Sequence, residues 1–175
     1  EGILTVLTQI AADELGMYPE DITIGDNDTA RVPEAAHVGA SRQTYMIGNA
    51  VCNACRDVKK KFIREMAAYW NIDSSSICMK NRRIYVEGNA QYNLSLKEAV
   101  DICKKIRGIV PLGSGTYTAH HEGLDPVDGR GNPWQAYVFG TQIAEVAVDT
   151  FTGEVHVLGI WAAHDVGRVI NPRGV

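Results

Sequence analysis

The sequence predicts an α+β fold with a mixed or antiparallel sheet and helices packed against it. Three segments carry apolar residues at helical spacing, and shorter segments bounded by turn residues alternate as strands do. These elements follow the order helix, strand, helix, strands, helix and hairpin, without the regular alternation of an α/β fold. The 175 residues, 45% of them hydrophobic, suffice for one globular domain with a core or for two small lobes.

Three helices are predicted. The first covers Ile3–Leu15 and ends at Gly16, a residue type that commonly terminates helices. The second and longest covers residues 44–70, where the apolar side chains fall on or near one face. The third begins at a capping box, in which the Ser95 side chain and the Glu98 side chain bond each other's backbone N–H groups.

Short segments of alternating polarity predict the strands. They cover the end of residues 19–24, at Ile22 and Ile24, and residues 77–79, 83–87, 142–148 and 154–162. The last two form a β-hairpin, in which Gly153 supplies the positive φ of a short loop. Residues 113–133 are rich in glycine and polar side chains and predict a mobile connecting or lining loop.

Charge and composition exclude several classes of partner. Lys and Arg number 17 against 21 Asp and Glu, and no basic stripe interleaved with aromatic residues is present, so we expect no nucleic-acid partner. No apolar run approaches the roughly 20 residues that span a bilayer, so we expect no membrane partner. Without a signal-peptide pattern, a cytoplasmic location is expected.

Three groups of residues could suggest a metal, and each has a simpler interpretation. Cys52 and Cys55 form a C-x-x-C, but they lack a second ligand pair and lie within a helical pattern, so we interpret them as small apolar residues. His120 and His121 are adjacent and would point apart on a strand, which favours a loop role. The acidic residues 25–29 lack the closing glutamate of a calcium loop and predict a turn.

A run of small and polar residues immediately before the long helix is the most informative feature. Residues 37–51 read HVGASRQTYMIGNAV. Backbone N–H groups at a helix start, two hydroxyls, an amide and a guanidinium can converge there on a phosphate or another oxygen-rich group. The predicted binding residues are Gly39, Ala40, Ser41, Arg42, Gln43 and Thr44. The alternative is that Ser41, Arg42 and Gln43 only cap the long helix.

The two ends of the chain suggest that it is part of something longer. It begins at Glu1 without an initiator methionine, and Asn171 followed by Pro172 is typical of a helix start, four residues before the end. We therefore expect residues 1–175 to form one partial domain, truncated at both ends.

Five ordered segments carry a family resemblance. TVLTQIAADELG, GDNDT, GASRQTYMIGNAV, VAVDTFTGEVHVL and DVGRVINP occur in this order along nearly the whole chain. In order and spacing they resemble the molybdenum-binding large subunit of xanthine dehydrogenase-like and aldehyde oxidoreductase-like enzymes. The chain is thereby identified as a piece of the molybdenum cofactor-binding domain of a molybdenum hydroxylase.

The resemblance implies a reaction and its cofactors. Enzymes of this family oxidise a C–H carbon of a heterocycle or an aldehyde, the small-molecule substrate, with oxygen derived from water. The cofactor is molybdopterin carrying molybdenum, either as such or as the cytosine dinucleotide. Electrons leave through [2Fe–2S] clusters to FAD, usually on partner domains or subunits.

The resemblance also assigns site residues by position. Ala40 would lie beside the molybdenum ligands, while Ser41, Arg42, Gln43 and Thr44 would hydrogen-bond the cofactor. The family's Gly-Gln-Gly before the first helix is represented only by Glu1 and Gly2. Gly2 is assigned to the cofactor, while the carboxylate at position 1 would repel a phosphate or bind a different donor. The family's catalytic glutamate would lie beyond Val175, so no catalytic residue and no metal ligand is assigned, and we expect the isolated segment to be inactive. A non-catalytic α+β module for subunit assembly is the alternative.

Overall fold

The structure is a computed structural model that describes residues 2–25, 28–30, 32–35, 37–39, 41–134 and 136–174. It confirms the α+β class, with helices and antiparallel sheets. The chain divides into two compact units. Unit 1 comprises Glu1–Thr118 with Ile170–Val175, and unit 2 comprises Ala119–Val169.

Helix α1 has the bounds that the sequence predicts, Ile3–Leu15. It ends at Gly16, whose φ of 65° is left-handed and whose N–H bonds the carbonyls of Ala12 and Asp13. The next segment, residues 19–24, was predicted to lead into a short strand at Ile22 and Ile24. This prediction is wrong, because no strand forms at these two residues. Pro19–Asp21 is a 3-10 turn, because the Asp21 carboxylate accepts from the Tyr18 N–H at 3.0 Å and closes it.

Helix α2, Gly48–Trp70, confirms the long predicted helix. Its N-terminal extension, Gln43–Ile47, is a π turn, with the Gly48 N–H bonded to the Gln43 carbonyl five residues earlier. The helix ends at Asn71, which adopts a left-handed φ of 55°. The C-x-x-C lies in the first half of α2, where Cys55 is buried and Cys52 is half-buried. Burial is the main cause that raises the pKa of the Cys55 thiol, and the nearby Cys52 and Glu14 raise it further. This thiol therefore stays protonated near neutral pH.

A three-stranded antiparallel sheet follows α2. Strands β1 (Ile77–Lys80) and β2 (Arg83–Val86) confirm the predicted pair, and β3 (Asn89–Ser95) adds a third strand that the sequence patterns did not predict. Helix α3, Leu96–Lys105, begins at the predicted capping box. The core of unit 1 lies between α2, α3 and this sheet, and consists of Phe62, Met66, Ala67, Ile77, Ile84, Leu96, Ala99 and Cys103.

Unit 2 is built on a long hairpin of β4 (Phe139–Val148) and β5 (Val155–Asp165). It confirms the predicted hairpin, including Gly153 with a φ of 79°, although both strands extend further than predicted. In the described part of residues 119–138, one bridge between Leu124 and Gly131 is the only strand pairing and no helix forms, which agrees with the predicted loop.

The remaining predictions concern single segments. Asp26 and Asn27 of the predicted acidic turn lie outside the described residues. Asn171 opens a turn closed by the Gly174 N–H, rather than a helix within the described chain. In the part of the chain that the structure describes, no helix is long and apolar enough to cross a bilayer, and no three or more His, Cys, Asp or Glu side chains cluster as metal ligands.

Candidate functional site

The predicted binding residues lie where the chain enters the long helix. Ser41 is exposed in a turn, and Arg42 already has helical dihedral angles, so the predicted loop is one turn shorter than expected. Gln43 and Thr44 form the first residues of the π turn and are half-buried. Gly39 precedes the turn and accepts the Arg42 N–H through its carbonyl at 3.0 Å. Ala40 lies outside the described residues.

Three polar side chains at this helix start are available for a ligand. Within the described chain, the hydroxyls of Ser41 and Thr44 and the amide of Gln43 have no hydrogen-bond partner. Two hydroxyls and an amide offer donors that phosphate or pterin oxygens can accept. Because Ser41 immediately precedes the first helical turn and Gln43 and Thr44 lie in it, all three stand beside backbone N–H groups that also favour an anion.

Arg42 has a different arrangement from the one that the sequence predicts. Its Nη1 donates to the Ala35 carbonyl at 2.6 Å and more weakly to the His37 carbonyl at 3.4 Å. These bonds fasten the preceding segment to the helix start. A guanidinium carries five N–H groups, so Nε and Nη2 still have donors to offer to a ligand.

Gly2 lies at the same end of the helix pair as residues 41–44. The side chain of Ile10 on α1 faces Gly48 at the start of α2, and Glu14, one turn later, pairs with Arg56 at 3.1 Å. The two helices therefore run in the same direction and present their N-terminal ends together. Gly2 adopts a left-handed φ of 72° as the N-cap of α1, with open space where a Cβ would be.

The electrostatics of this end suit an anion. Aligned peptide dipoles give each helix N-terminus a partial positive charge. Among the described residues, neither the first turn of α1 nor the π turn that leads into α2 contains an acidic residue to neutralise that charge. The two N-termini therefore reinforce each other.

One contact at the site was not predicted from the sequence. The Tyr117 hydroxyl donates to the Tyr45 hydroxyl at 3.1 Å, and the two rings meet edge to face with centroids 5.7 Å apart. This hydrogen bond raises the pKa of Tyr117, with burial as a second cause. The sequence separation of 72 between the two tyrosines hides the contact from any local pattern. The only feature of the sequence that hints at this contact is the pair of glycines in Gly113-Ser114-Gly115, which indicates close backbone packing just before Tyr117.

Comparison with known proteins decides the family. The sequence model of the molybdopterin cofactor-binding domain matches residues 1–175. The chain belongs to this family. In this molybdopterin cofactor-binding domain, the helix start with its free donors is accordingly the candidate cofactor contact.

Two relatives of the domain are named oxidoreductases. A probable xanthine dehydrogenase subunit of Bacillus subtilis is 32% identical over 177 residues, covering 99% of this chain and 22% of the relative. An aldehyde oxidoreductase of Megalodesulfovibrio gigas is 30% identical over 157 residues, covering 90% of this chain and 14% of the relative. The domain thus spans less than a quarter of the length of these relatives.

A solved structure shares the fold of the domain. The crystal structure of a copper- and molybdenum-containing carbon monoxide dehydrogenase superposes with a TM-score of 0.74 over 98% of this chain and 20% of that chain. The sequences are 24% identical, so this likeness establishes the fold alone.

Proposed function

We propose that the domain contributes the residues at the start of α2, together with Gly2, to the molybdopterin site of a molybdenum hydroxylase. One observation carries the proposal. A chain that the family model matches from residue 1 to residue 175 presents three polar side chains, unpartnered within its described part, at a helix N-terminus. These are the positions that the family resemblance assigns to the cofactor.

The donor set fits the cofactor chemically. Molybdopterin and its cytosine dinucleotide carry phosphate and pterin oxygens that accept hydrogen bonds. Ser41, Gln43 and Thr44 supply neutral donors, Arg42 supplies its remaining N–H groups, and the N-termini of α1 and α2 supply positive potential. Gly39 and Ala40 keep this region free of large side chains, so the backbone can approach a ligand.

The proposed activity follows the named relatives. When bound, the cofactor would supply the oxidation of a C–H carbon of a heterocycle or aldehyde with oxygen derived from water. [2Fe–2S] clusters and FAD on partner domains or subunits would accept the electrons, and the location would be cytoplasmic. No residue of this chain is assigned as a catalytic base, so the domain on its own would be inactive and would act as one part of the site.

A second candidate function is a non-catalytic module for subunit assembly. The bonds from Arg42 to the Ala35 and His37 carbonyls favour it, because they show a guanidinium used to fasten the chain to itself. In that case Ser41 and Gln43 would contact no cofactor, and the protein would contain no molybdenum. The structure shows no side-chain capping bond at the described start of either helical segment, π turn or α2.

The test measures bound molybdenum and pterin in the complete protein, by elemental analysis and by the fluorescence of the oxidised pterin. Each lost neutral hydrogen bond weakens binding about fivefold, so Gln43→Ala with Thr44→Val should reduce the affinity for the cofactor about 25-fold. Gln91→Ala is the matched control, because Gln91 lies on the exposed part of β3.

Two results would decide against the proposal. Wild-type protein without molybdenum or pterin would favour the assembly module, and equal cofactor content in all variants would remove residues 43 and 44 from the site. If cofactor is present, turnover of purine, nicotinate and aldehyde substrates with an artificial electron acceptor identifies the substrate class.

A further inference from the structure

The segment that follows α3 packs lengthwise against α2. We name residues 112–117 the strap. Lys61 Nζ donates to the Leu112 carbonyl at 3.3 Å, and the Ser114 N–H donates to Asp57 Oδ2 at 3.0 Å. Farther on, Asn53 Nδ2 donates to the Thr116 carbonyl at 2.8 Å. The strap therefore runs antiparallel to α2 and leads towards its N-terminal end.

Two glycines bring the strap into backbone contact with the helix. A Cβ at Gly113 would overlap the Ala54 carbonyl, and a Cβ at Gly115 would overlap the Ala54 nitrogen. No larger residue fits at either position without moving the strap away from α2. The path of the strap is consequently fixed by hydrogen bonds along its length and by the absence of these two side chains.

The strap ends at the π turn. Its last residue, Tyr117, donates its hydroxyl to Tyr45, the middle residue of Gln43–Ile47, at 3.1 Å. One hydrogen bond between two phenols uses one proton, so one phenol proton of the pair is left to donate. No acceptor for it exists in the part of the chain that the structure describes.

The π turn itself needs such support. π turns are rare and occur mostly as local features at functional sites. The Tyr45 carbonyl accepts from the Gly48 N–H and from Asn49 Nδ2, the latter at 2.7 Å. On another side, Ile10 Cδ1 would lie 3.0 Å from a Cβ at Gly48. Contacts from α1, α2 and the strap therefore meet at one turn, which includes two of the candidate cofactor contacts.

We propose that Tyr117 is a positioning residue for the cofactor contacts, because its hydroxyl holds Tyr45 and with it the π turn that carries Gln43 and Thr44. This inference rests on the proposed function and extends it to Tyr117, which lies outside the five family segments. Without the Tyr117 hydroxyl, the turn loses its connection to the strap. Gln43 and Thr44 then spend less time in the orientation that the cofactor requires.

The experiment compares Tyr117→Phe, Tyr45→Phe and the double variant in the complete protein. Tyr69→Phe is the control, since it removes a phenol from the far end of α2, where the side chain is partly exposed. The first readout is the rate at which bound molybdopterin is released. The second is amide hydrogen exchange in residues 41–48, which is measured with and without bound cofactor and needs no activity.

Loss of one neutral hydrogen bond predicts about fivefold faster cofactor release and faster exchange in residues 41–48 for each single variant. The double variant should show no further change, because both substitutions remove the same bond. A merely structural role for Tyr117 would instead raise exchange throughout unit 1 and leave the release rate per folded molecule unchanged.

The outcomes separate this inference from the proposed function. Wild-type protein without cofactor would contradict the proposed function and, with it, the cofactor role of Tyr117. The exchange data would then still decide whether Tyr117 holds the π turn. Two outcomes would overturn the positioning role alone if wild-type protein carries cofactor. In the first, Tyr117→Phe changes neither the release rate nor the exchange rate. In the second, Tyr69→Phe changes both as much as Tyr117→Phe does.

Discussion

At the scale of single residues, Asp57 joins α2 to the strap. Its carboxylate accepts from Lys61 Nζ at 2.7 Å and from the Ser114 N–H at 3.0 Å. The Lys61 hydrogen bond, and then that of Ser114, holds the pKa of Asp57 below its ordinary value of 3.8. A lowered folded-state pKa means that the charged carboxylate stabilises the fold above the unfolded-state pKa, and that this contribution is lost as pH falls through the folded-state pKa.

We therefore expect the stability difference between wild type and Asp57→Asn to be constant at neutral pH and to shrink as the pH falls below the ordinary value of 3.8. Urea unfolding at a series of pH values measures it. Asp13→Asn is the control, because Asp13 is exposed and its side chain has no hydrogen-bond partner in the described chain. A difference that grows on acidification would show that Asp57 does not act through its charge.

Residue-scale predictions from the sequence succeeded where the partners are close along the chain. The capping box of Ser95 and Glu98 spans three residues, and its spacing alone predicts both hydrogen bonds. The bonds from one Arg42 nitrogen to the Ala35 and His37 carbonyls were not predicted, and the assignment of Arg42 to the cofactor stays a prediction. No spacing rule connects an arginine to those carbonyls, because the path of the intervening chain decides which of them it meets.

At the scale of secondary-structure elements, Gly16 fixes how α1 meets β1. Its left-handed φ of 65° disfavours any side chain, and a Cβ would lie 2.7 Å from the Lys80 Cα and from the Met79 carbonyl oxygen. Gly88, in the turn between β2 and β3, has a similar φ of 73° but open space around it. A comparison of Gly16 with Gly88 therefore separates the energetic cost of backbone strain from that of a steric clash.

We expect Gly88→Ala to cost about 1 kcal/mol of unfolding free energy, from backbone strain alone. Gly16→Ala should cost about 2–4 kcal/mol, because β1 must also move away from the helix end. Chemical denaturation of both variants measures the two values. Equal costs would mean that β1 can move away from the end of α1 without a loss of unfolding free energy.

The elements that the sequence failed to predict share a physical reason. Strand β3, with the sequence NAQYNLS, is largely exposed and polar, so it has no apolar alternation to reveal it. The π turn depends on Tyr117, Asn49 and Ile10, which no local propensity includes. By contrast, α1 and α2 bury one apolar face each, and that periodicity is visible in the sequence alone.

At the scale of the whole molecule, the sequence identified the family through five short segments in order, and the match to the cofactor-binding domain confirms that identification. The position of the candidate site followed from one of them, residues 39–51. The division into two compact units could not be derived this way, because composition allows either one domain or two lobes. Contacts between residues far apart along the chain define the two units, and no local pattern in the sequence shows them.

The hairpin of unit 2 carries an unusually apolar face. Cross-strand pairs place Val146 opposite Val157, Val148 opposite Val155, and Ala144 opposite Ile160. Residues 144, 146 and 148 alternate along β4 and so share one face of the sheet. The four valines and Ile160 are 47 to 67% exposed, and we name these five residues the valine face.

An exposed apolar face of this kind predicts self-association of the isolated chain, since contiguous apolar patches seldom stay in water. Val146→Thr with Val157→Thr should weaken the association by about 1 kcal/mol per substitution, or roughly 25-fold together, while threonine keeps the β-branched shape that suits a strand. Sedimentation equilibrium at several concentrations measures the constant. Ala147→Thr with His156→Thr is the matched control, because this cross-strand pair lies on the opposite face of the hairpin and should leave the association unchanged. A monomeric wild type over the whole concentration range would contradict the prediction, and an equal effect of the control pair would assign the association to another surface.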